Sequence, residues 1–101
     1  MRPILPPDLD LLTRVLLPLP TASRAEAIAQ ILTAADLADR YRKRTGRLHP
    51  QHGDGSVLSQ ALQQGTPAAA FACDRAYCTA LAAVLAGIAD WHDRTQTLRI
   101  S

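Results

Sequence analysis

Residues 74–91 carry the pattern that most restricts how this chain can fold. Large apolar side chains recur there at spacings of four, three, one, three and three residues: Tyr77, Leu81, Val84, Leu85, Ile88 and Trp91. Side chains three and four positions apart share one face of an α-helix, so the spacing predicts an amphipathic helix that begins at Asp74. Alanines fill the intervening positions and would let neighbouring helices approach closely. We expect Leu81, Leu85 and Ile88 to be buried in the core, together with Leu32 from an earlier helix.

A second long helix is predicted from about Ser23 to Arg44. Ser23 and Glu26 have the spacing of a capping box, and Thr21 is an alternative cap two residues earlier. One stripe of apolar residues follows at helical spacing: Ile28, Ile31, Leu32, Ala35 and Ala38. Gly46 readily adopts the left-handed conformation that ends helices, so this helix should stop near it.

Two short helices complete the predicted fold. One begins at Asp8, whose side chain can cap free backbone N–H groups, and is ended by Pro18. The other follows Ser56 and is closed by Gly65 and Pro67. The sequence therefore predicts an all-α protein, a small four-helix bundle-like domain with two long and two short helices and the long pair antiparallel.

Length and composition are consistent with this fold. A chain of 101 residues is long enough for one helical domain spanning residues 1–101, and we expect residues 1–6 and 94–101 to be flexible. The longest apolar stretch without charge, residues 76–89, is too short to cross a bilayer. Prolines and aspartates interrupt the N-terminal segment, so it does not resemble a signal peptide. We expect a cytoplasmic protein with reduced cysteines and no membrane contact.

The stretch "RYRKRTGRLHPQHGDGS", residues 40–56, differs from the rest, and we call it the basic segment. Its first eight residues hold five basic side chains and no acid, although the whole chain has a formal net charge of only +2: Arg40, Arg42, Lys43, Arg44 and Arg47. Asp36 precedes Arg40 by four residues, and Asp39 precedes Lys43 by four, which is the spacing of helical ion pairs. This pairing leaves Arg42, Arg44 and Arg47, which we expect to be exposed and to contact an acidic surface or phosphates.

The glycines of the basic segment suggest a second way to bind an anion. Gly53 and Gly55 allow backbone conformations that direct successive N–H groups to one point, and Ser56 begins a helix. Asp54 would repel an anion there, and the P-loop spacing is absent. A plain loop-to-helix cap is the alternative that we favour. The hypothetical binding residues are thus three arginines, two glycines and one serine: Arg42, Arg44, Arg47, Gly53, Gly55 and Ser56.

Metal binding and catalysis have weaker support in the sequence. His49, His52, Cys73 and Cys78 are the residues from which a zinc site would have to be built, but the cysteine spacing does not suit a structural zinc site. We favour the alternative that His49 and Pro50 form a turn, that His52 is solvated, and that Cys78 is a small core residue. With one glutamate and no recognisable Ser-His or Cys-His spacing, the sequence predicts neither an enzyme nor a cofactor.

The block "ADRYRKRTGRLHPQHGDGS" resembles a block in small uncharacterised proteins of alphaproteobacteria. Those proteins have a similar R-Y-R-x-R-T-G-R-x-H-P followed by G-x-G-S, and a later Asp-x-x-Tyr-Cys that is similar to Asp74–Cys78 here. The resemblance covers most of the chain. It implies no known function, so it assigns no role to any residue beyond drawing attention to residues 40–56.

Three functional hypotheses remain open from the sequence. The first is a non-enzymatic helical interaction protein, an adaptor or regulatory subunit, with the basic segment as its contact site for a protein partner. The second is a nucleic-acid-associated protein whose arginine cluster binds backbone phosphates. Its role would be regulatory or would belong to a phage-like packaging system. The third is a binder of an anion or another small ligand. Alanines on more than one side of the last helix also make a homodimer an expected arrangement.

Overall fold

A computed structural model describes residues 3–64 and 74–100 of the chain. It contains α1 (Pro6–Leu16), a 3-10 turn (Thr21–Ser23), α2 (Arg24–Thr45), α3 (Val57–Gln64) and α4 (Arg75–Ile100). The all-α class is confirmed for these residues, among which the sole β-type pairing is an isolated bridge between His49 and Gly53. The predicted helix stops at Gly65 and Pro67 lie outside the described residues.

The first helix begins earlier than its sequence suggests. Pro6 and Pro7 occupy the first turn of α1, where the N–H group that proline lacks would have no helical partner anyway. Asp8 is therefore not the capping residue before the helix. Its carboxylate accepts a hydrogen bond from the Leu5 N–H at 2.8 Å, reaching back to the residue that precedes the first turn.

The start of α2 also differs from the prediction. Thr21–Ser23 form a 3-10 turn, and Ser23 makes no capping hydrogen bond through its side chain, so the predicted capping box is wrong. Arg24 has the more important role, because its buried guanidinium donates to the Leu16 carbonyl at 3.2 Å and to the Leu17 carbonyl at 3.3 Å. These are carbonyls at the C-terminal end of α1, which helical bonding leaves unsatisfied. The predicted end of α2 is confirmed, since Gly46 follows Thr45 with a φ of 72°.

The core lies where α1 and α2 pack against α3 and α4. Its largest fully buried apolar side chains are Leu12, Leu16, Ile28, Ile31, Leu32 and Val84. The long helices pack closely at Gly87, where an added Cβ would lie 2.8 Å from Cγ2 of Ile28. A side chain at this position would push α4 away from α2, which explains a glycine in the middle of a helix.

The buried face of α4 is narrower than its apolar pattern predicts. Val84 is fully buried, and Leu81 and Ile88 are partly buried beside it, but Leu85 is 50% exposed. The prediction that Leu85 is a core residue is therefore wrong. One residue corresponds to a rotation of about 100° around an α-helix, and that rotation carries Leu85 from the buried face at Val84 to the side of the helix. Leu85 lies four residues after Leu81 and three before Ile88, so spacing alone places it on their face and does not reveal its exposure.

The contacts between α2 and α4 also bear on their direction. Ile28 meets Gly87, and five residues later Thr33 accepts a hydrogen bond from the Trp91 indole N–H at 3.3 Å. Residue numbers thus rise together along both helices at these contacts. The antiparallel arrangement predicted from the sequence requires the opposite order, so these contacts contradict it.

A hydrogen bond between distant parts of the chain joins α1 to α4. The Tyr77 hydroxyl donates to Oδ1 of Asp10 at 2.6 Å, and the ring of Tyr77 is buried. The bond to the Asp10 carboxylate, together with burial, raises the pKa of Tyr77 above its usual 10.0. The stabilisation that follows from this shift is present below pH 10 and is lost as the pH rises through the higher pKa of the folded protein.

Replacing Tyr77 with phenylalanine should lower the free energy of unfolding by about 1.5 to 3 kcal/mol, since it removes one charge-assisted hydrogen bond. Chemical denaturation at pH 7 measures the change. The control is Tyr41→Phe, because no described residue is hydrogen-bonded to the Tyr41 hydroxyl, and its loss should change stability by less than about 0.5 kcal/mol. Equal effects for the two variants would contradict the assigned role of the Tyr77 hydroxyl.

Candidate functional site

The last two turns of α2 neutralise most of the cations of the basic segment. Nη2 of Arg40 lies 3.0 Å from Oδ2 of Asp36, and Nζ of Lys43 lies 3.0 Å from Oδ2 of Asp39. Both ion pairs predicted from the spacing are confirmed. Arg42 is a correction, because its Nη2 lies 3.1 Å from Oδ1 of Asp39 and its side chain is half-buried. The sequence had predicted an exposed Arg42 without an acidic partner, and both parts of that prediction are wrong.

Asp39 is the centre of this cluster. Its side chain is fully buried, while Arg42 and Lys43 extend from it toward solvent. Burial alone would raise the pKa of the carboxyl, but hydrogen bonds, those from Lys43 and Arg42 among them, together outweigh burial and lower the pKa to about 2. Asp39 is therefore ionised at neutral pH, and it pairs with Arg42 as well as with Lys43, so Arg42 is not left over for a ligand.

Gly55 packs directly on the backbone of α2 at Asp39. An added Cβ at Gly55 would lie 2.6 Å from Cα of Asp39 and 2.7 Å from its N and Cβ atoms. Gly55 also has a φ of 87°, a conformation that other residues rarely adopt. The glycine therefore allows the loop after α2 to fold back onto the helix at Asp39.

His49 organises the turn between α2 and Gly55. Its Nδ1 accepts hydrogen bonds from the backbone N–H groups of Gln51 at 3.0 Å and His52 at 3.1 Å. The imidazole lies edge-on to the Tyr41 ring at 5.0 Å and stacks on the His52 ring at 4.7 Å. The predicted turn at His49 and Pro50 is present, and the imidazole of His49 replaces a backbone acceptor within it.

The N–H groups of the predicted anion cradle are used inside the loop. The Gly53 N–H donates to the His49 carbonyl at 3.2 Å, and the Ser56 N–H donates to Oδ1 of Asp54 at 2.9 Å. The side chain of Gln60 donates to the His52 carbonyl. Gly53, Gly55 and Ser56 are thus brought together, but as the cap and fold-back of the loop, with these amides directed at protein oxygens.

The residues proposed for zinc are not brought together in the described part of the chain. No group of three or more His, Cys, Asp or Glu side chains among the described residues is arranged to hold a metal ion. His49 and His52 contact each other, with Nδ1 of His49 bound to two backbone N–H groups. Cys78 is an exposed free thiol on α4, so the expectation of a core cysteine is wrong. Cys73 lies outside the described residues.

The outward surface of the basic segment holds two arginines and a leucine. Arg44 and Arg47 are exposed, and Leu48 is 64% exposed. The Arg44 guanidinium carbon lies 6.0 Å from the centre of the Tyr41 ring, at the outer limit of a cation–π contact. Because the loop is held by His49 and Gly55, these three side chains are presented by a well-anchored part of the backbone.

An open groove of about 350 Å³ runs along the outer face of α2 toward this surface. It is mainly apolar and is lined by Ala29, Thr33, Ala34 and Leu37, with Glu26 and Gln30 at one end and His52 at the other. Leu37 is 50% exposed within it. Helical spacing places Arg44 seven residues after Leu37, two turns further along the same face of α2. The groove and Arg44 therefore lie on one face of α2, and Arg47 follows in the loop just after the helix ends.

The described cations fall into two groups, those with a partner within the chain and those without a carboxylate nearby. Six described cations have a carboxylate or carbonyl partner within the chain: Arg14, Arg24, Arg40, Arg42, Lys43 and Arg94. Arg44, Arg47 and Arg75 have no carboxylate within ion-pair distance among the described residues. Counting basic residues in the sequence does not make this distinction. Asp39 pairs with two cations, Lys43 at a spacing of four residues and Arg42 at a spacing of three.

Over the described residues, fold and surface define a small all-helical protein with an apolar groove on α2 and with two exposed arginines, Arg44 and Arg47, that have no carboxylate partner there. A family model for a domain of unknown function, DUF7742, matches residues 2–88, and the chain belongs to that family. Membership agrees with the resemblance to an uncharacterised family, whereas the shared residue block and the alphaproteobacterial origin stay predictions.

No curated protein and no solved structure matches the chain. Within the described residues, no helix combines the length and the apolar character that spanning a membrane requires.

Proposed function

We propose that this protein is a non-enzymatic interaction module that binds an acidic segment of a protein partner on the surface formed by the α2 groove and the basic segment. The observation that carries the proposal is the exposure of Arg44 and Arg47 in a chain that gives every other described cation of α2 a carboxylate or carbonyl partner. A cation that has no structural partner is free to pair with a ligand. Leu48, exposed beside them, adds an apolar contact.

The shape of the surface favours an extended or helical peptide. The groove from Glu26 to Leu37 covers about three turns of α2, or about 16 Å. An apolar side chain of a partner would lie against Leu37 and the alanines, and its carboxylates would face Arg44 and Arg47. Arginine suits this role because its planar guanidinium can donate two parallel hydrogen bonds to one carboxylate.

Nucleic acid is the alternative ligand, and the ion pairs argue against it. Three of the five cations between residues 40 and 47 are bound to Asp36 or Asp39. The remaining two would release about two counterions on binding phosphates, whereas proteins that bind DNA firmly make several times as many phosphate contacts. A binding surface with an exposed leucine and an apolar groove is better suited to a protein segment.

We expect the double variant Arg44→Gln/Arg47→Gln to fold normally and to lose its partner. Affinity purification from the native host after nuclease treatment identifies proteins that bind the wild type, and calorimetry with the purified partner measures the affinity. The double variant should bind at least tenfold more weakly, and Leu37→Ser should also weaken binding. Each exposed substitution should change the free energy of unfolding by less than about 0.5 kcal/mol.

The matched control is Arg14→Gln/Arg94→Gln, which removes the same charge from arginines that are paired with Asp10 and Asp90. It should keep the wild-type affinity within twofold. Equal loss in both double variants would mean that net charge alone drives the interaction, contrary to the proposal. Anisotropy with a short DNA duplex tests the alternative, and tight binding whose salt dependence indicates four or more released counterions would overturn the protein-ligand assignment.

A further inference from the structure

The outward face of α4 has an apolar centre with opposite charges at its two ends. Helical spacing places six exposed residues in one line along it: Arg75, Thr79, Ala82, Ala86, Ala89 and Asp93. Leu85 and Cys78, which are also exposed, lie along one side of this line. We call these eight residues the α4 outer face. It is distinct from the basic segment and the groove of α2.

The two faces of α4 are both apolar, although only one of them is buried within the chain. Tyr77, Ala80 and Val84 bury the inner face against the rest of the protein. The outer face presents alanines and the half-exposed Leu85 to solvent. A helix that is apolar on all sides is normally covered on all sides, whereas a surface helix has a polar outer face. The outer face therefore has the composition of a contact surface.

The residues of the α4 outer face are spaced symmetrically about one central position on the helix. Taken about position 84, Arg75 and Asp93 are equidistant from the centre, as are Thr79 and Ala89, and Ala82 and Ala86. If two copies pack these faces against each other in antiparallel orientation, each Arg75 meets Asp93 of the second copy. We propose that the α4 outer face binds a second copy of this chain in that arrangement, with two symmetric ion pairs.

The position of Arg75 supports an intermolecular partner. Arg75 is the first residue of α4, where the helix dipole disfavours a cation, and the first turn contains no acid. Among the described residues it has no carboxylate within ion-pair distance. The same charges select the orientation, because a parallel pair would place Arg75 against Arg75 and Asp93 against Asp93.

The side chains at the centre suit close packing of two helices. Ala82, Ala86 and Ala89 project little from the helix, so two copies of α4 can approach to the short end of the usual range, about 8 Å between axes. The ion pairs would lie at the ends of the contact, separated by eighteen residues or about 27 Å of helix. Leu85 from each copy would cover the flank and lose its exposure.

Charge reversal tests the arrangement. Sedimentation equilibrium of purified, untagged protein from micromolar to millimolar concentration should show a monomer–dimer equilibrium for the wild type. Arg75→Asp and Asp93→Arg should each weaken the dimer at least tenfold, because each leaves like charges at both ends. The double variant Arg75→Asp/Asp93→Arg should recover the wild-type dimer constant within about threefold, since both ion pairs re-form in reversed polarity.

Circular dichroism shows whether each variant is folded, and Arg75→Asp is expected to fold at least as well as the wild type because an acid suits a helix N-terminus. Arg94→Asp, an exposed charge reversal off the α4 outer face, is the control and should dimerise normally. A wild type that stays monomeric at every concentration overturns the proposal. A dimer that is insensitive to both single reversals, or a double variant that stays as weak as the single ones, also overturns it.

Discussion

Replacing Gly55 with alanine should be among the most destabilising single changes in this protein, lowering the free energy of unfolding by about 3 kcal/mol. Two effects add. The φ of 87° at Gly55 costs a residue with a Cβ about 1 to 2 kcal/mol. The new methyl group would overlap the backbone of Asp39 at 2.6 Å, and overpacking of this kind costs about 1 to 3 kcal/mol because a helix backbone cannot move aside as a side chain can.

Gly46→Ala separates the two effects. Gly46 also has a positive φ, of 72°, but nothing lies within 4 Å of the position where its Cβ would be. This variant should lose only the conformational part, about 1 kcal/mol. Urea denaturation of both variants and the wild type gives the comparison. If Gly46→Ala costs as much as Gly55→Ala, the close packing of the loop on Asp39 does not contribute to stability.

The Gly55 variant has a second expected effect, on the binding surface. A displaced loop would move Arg47 and Leu48 relative to the groove, so we expect it to bind the protein partner more weakly even under conditions where it is folded. Gly46→Ala, in which the loop stays packed on α2, should bind normally once its population of folded protein is taken into account.

Asp39→Asn should lower the free energy of unfolding by about 2 kcal/mol at pH 7. The pKa of Asp39 falls from 3.8 to about 2 on folding, and a shift of that size corresponds to about 2.5 kcal/mol of preference for the charged form. Removing one member of a deeply buried ion pair costs about 3 to 5 kcal/mol, but Arg42 and Lys43 are partly solvated here and recover some hydration, so the lower value applies.

The same pKa gives the pH range over which the effect appears. Because the pKa of Asp39 is lower in the folded protein, its stabilisation is fully present above pH 4 and is lost as the pH falls through 4 toward 2. Over that range the stability of the wild type should fall toward that of Asp39→Asn. Denaturation curves at several pH values measure this convergence, and a gap that stays constant down to pH 2 would contradict the assigned pKa.

Asp90→Asn is the control for the charge change. Asp90 pairs with Arg94 at the same spacing of four residues, but both side chains are well exposed, so the pair should contribute less than about 0.5 kcal/mol. A large loss in this variant as well would point to a general effect of net charge. The difference between the two variants isolates the consequence of burying Asp39.

The regular features of this fold could be predicted from the sequence because they depend on local spacing. The apolar stripe of α2, its end at Gly46 and the two acid-to-base pairs follow from helix periodicity and short-range electrostatics. The exposure of Leu85 could not be predicted in this way, since both sides of α4 are apolar and spacing alone does not say which side meets the core. Packing of the whole chain makes that choice.

The sequence drew attention to the segment in which the candidate site is proposed, but it did not predict how much charge is available there. The density of basic residues drew attention to residues 40–56, yet their number overstated the available charge, because the second partner of Asp39 is set by side-chain geometry and burial. The glycines fitted two interpretations, an anion-binding loop and the favoured loop-to-helix cap, and the hydrogen bonds within the loop agree with the cap. Gly55 is required because a side chain there would overlap the backbone of α2 at Asp39. In the sequence, the same glycine is also consistent with a flexible anion-binding loop. Nothing in the sequence indicated that Arg24 would bind the carbonyls at the end of α1, apart from its position one residue after a predicted cap.

The bond between Tyr77 and Asp10 bears on how the protein is made. Residues 67 positions apart must meet before α1 and α4 can close the core, and such distant contacts form slowly compared with those inside one helix. During synthesis, Leu12 and Leu16 leave the ribosome early, while the helix that covers them comes later in the chain. The nascent protein therefore carries an uncovered apolar surface for much of its translation, and chaperones that hold such surfaces have a defined interval in which to act.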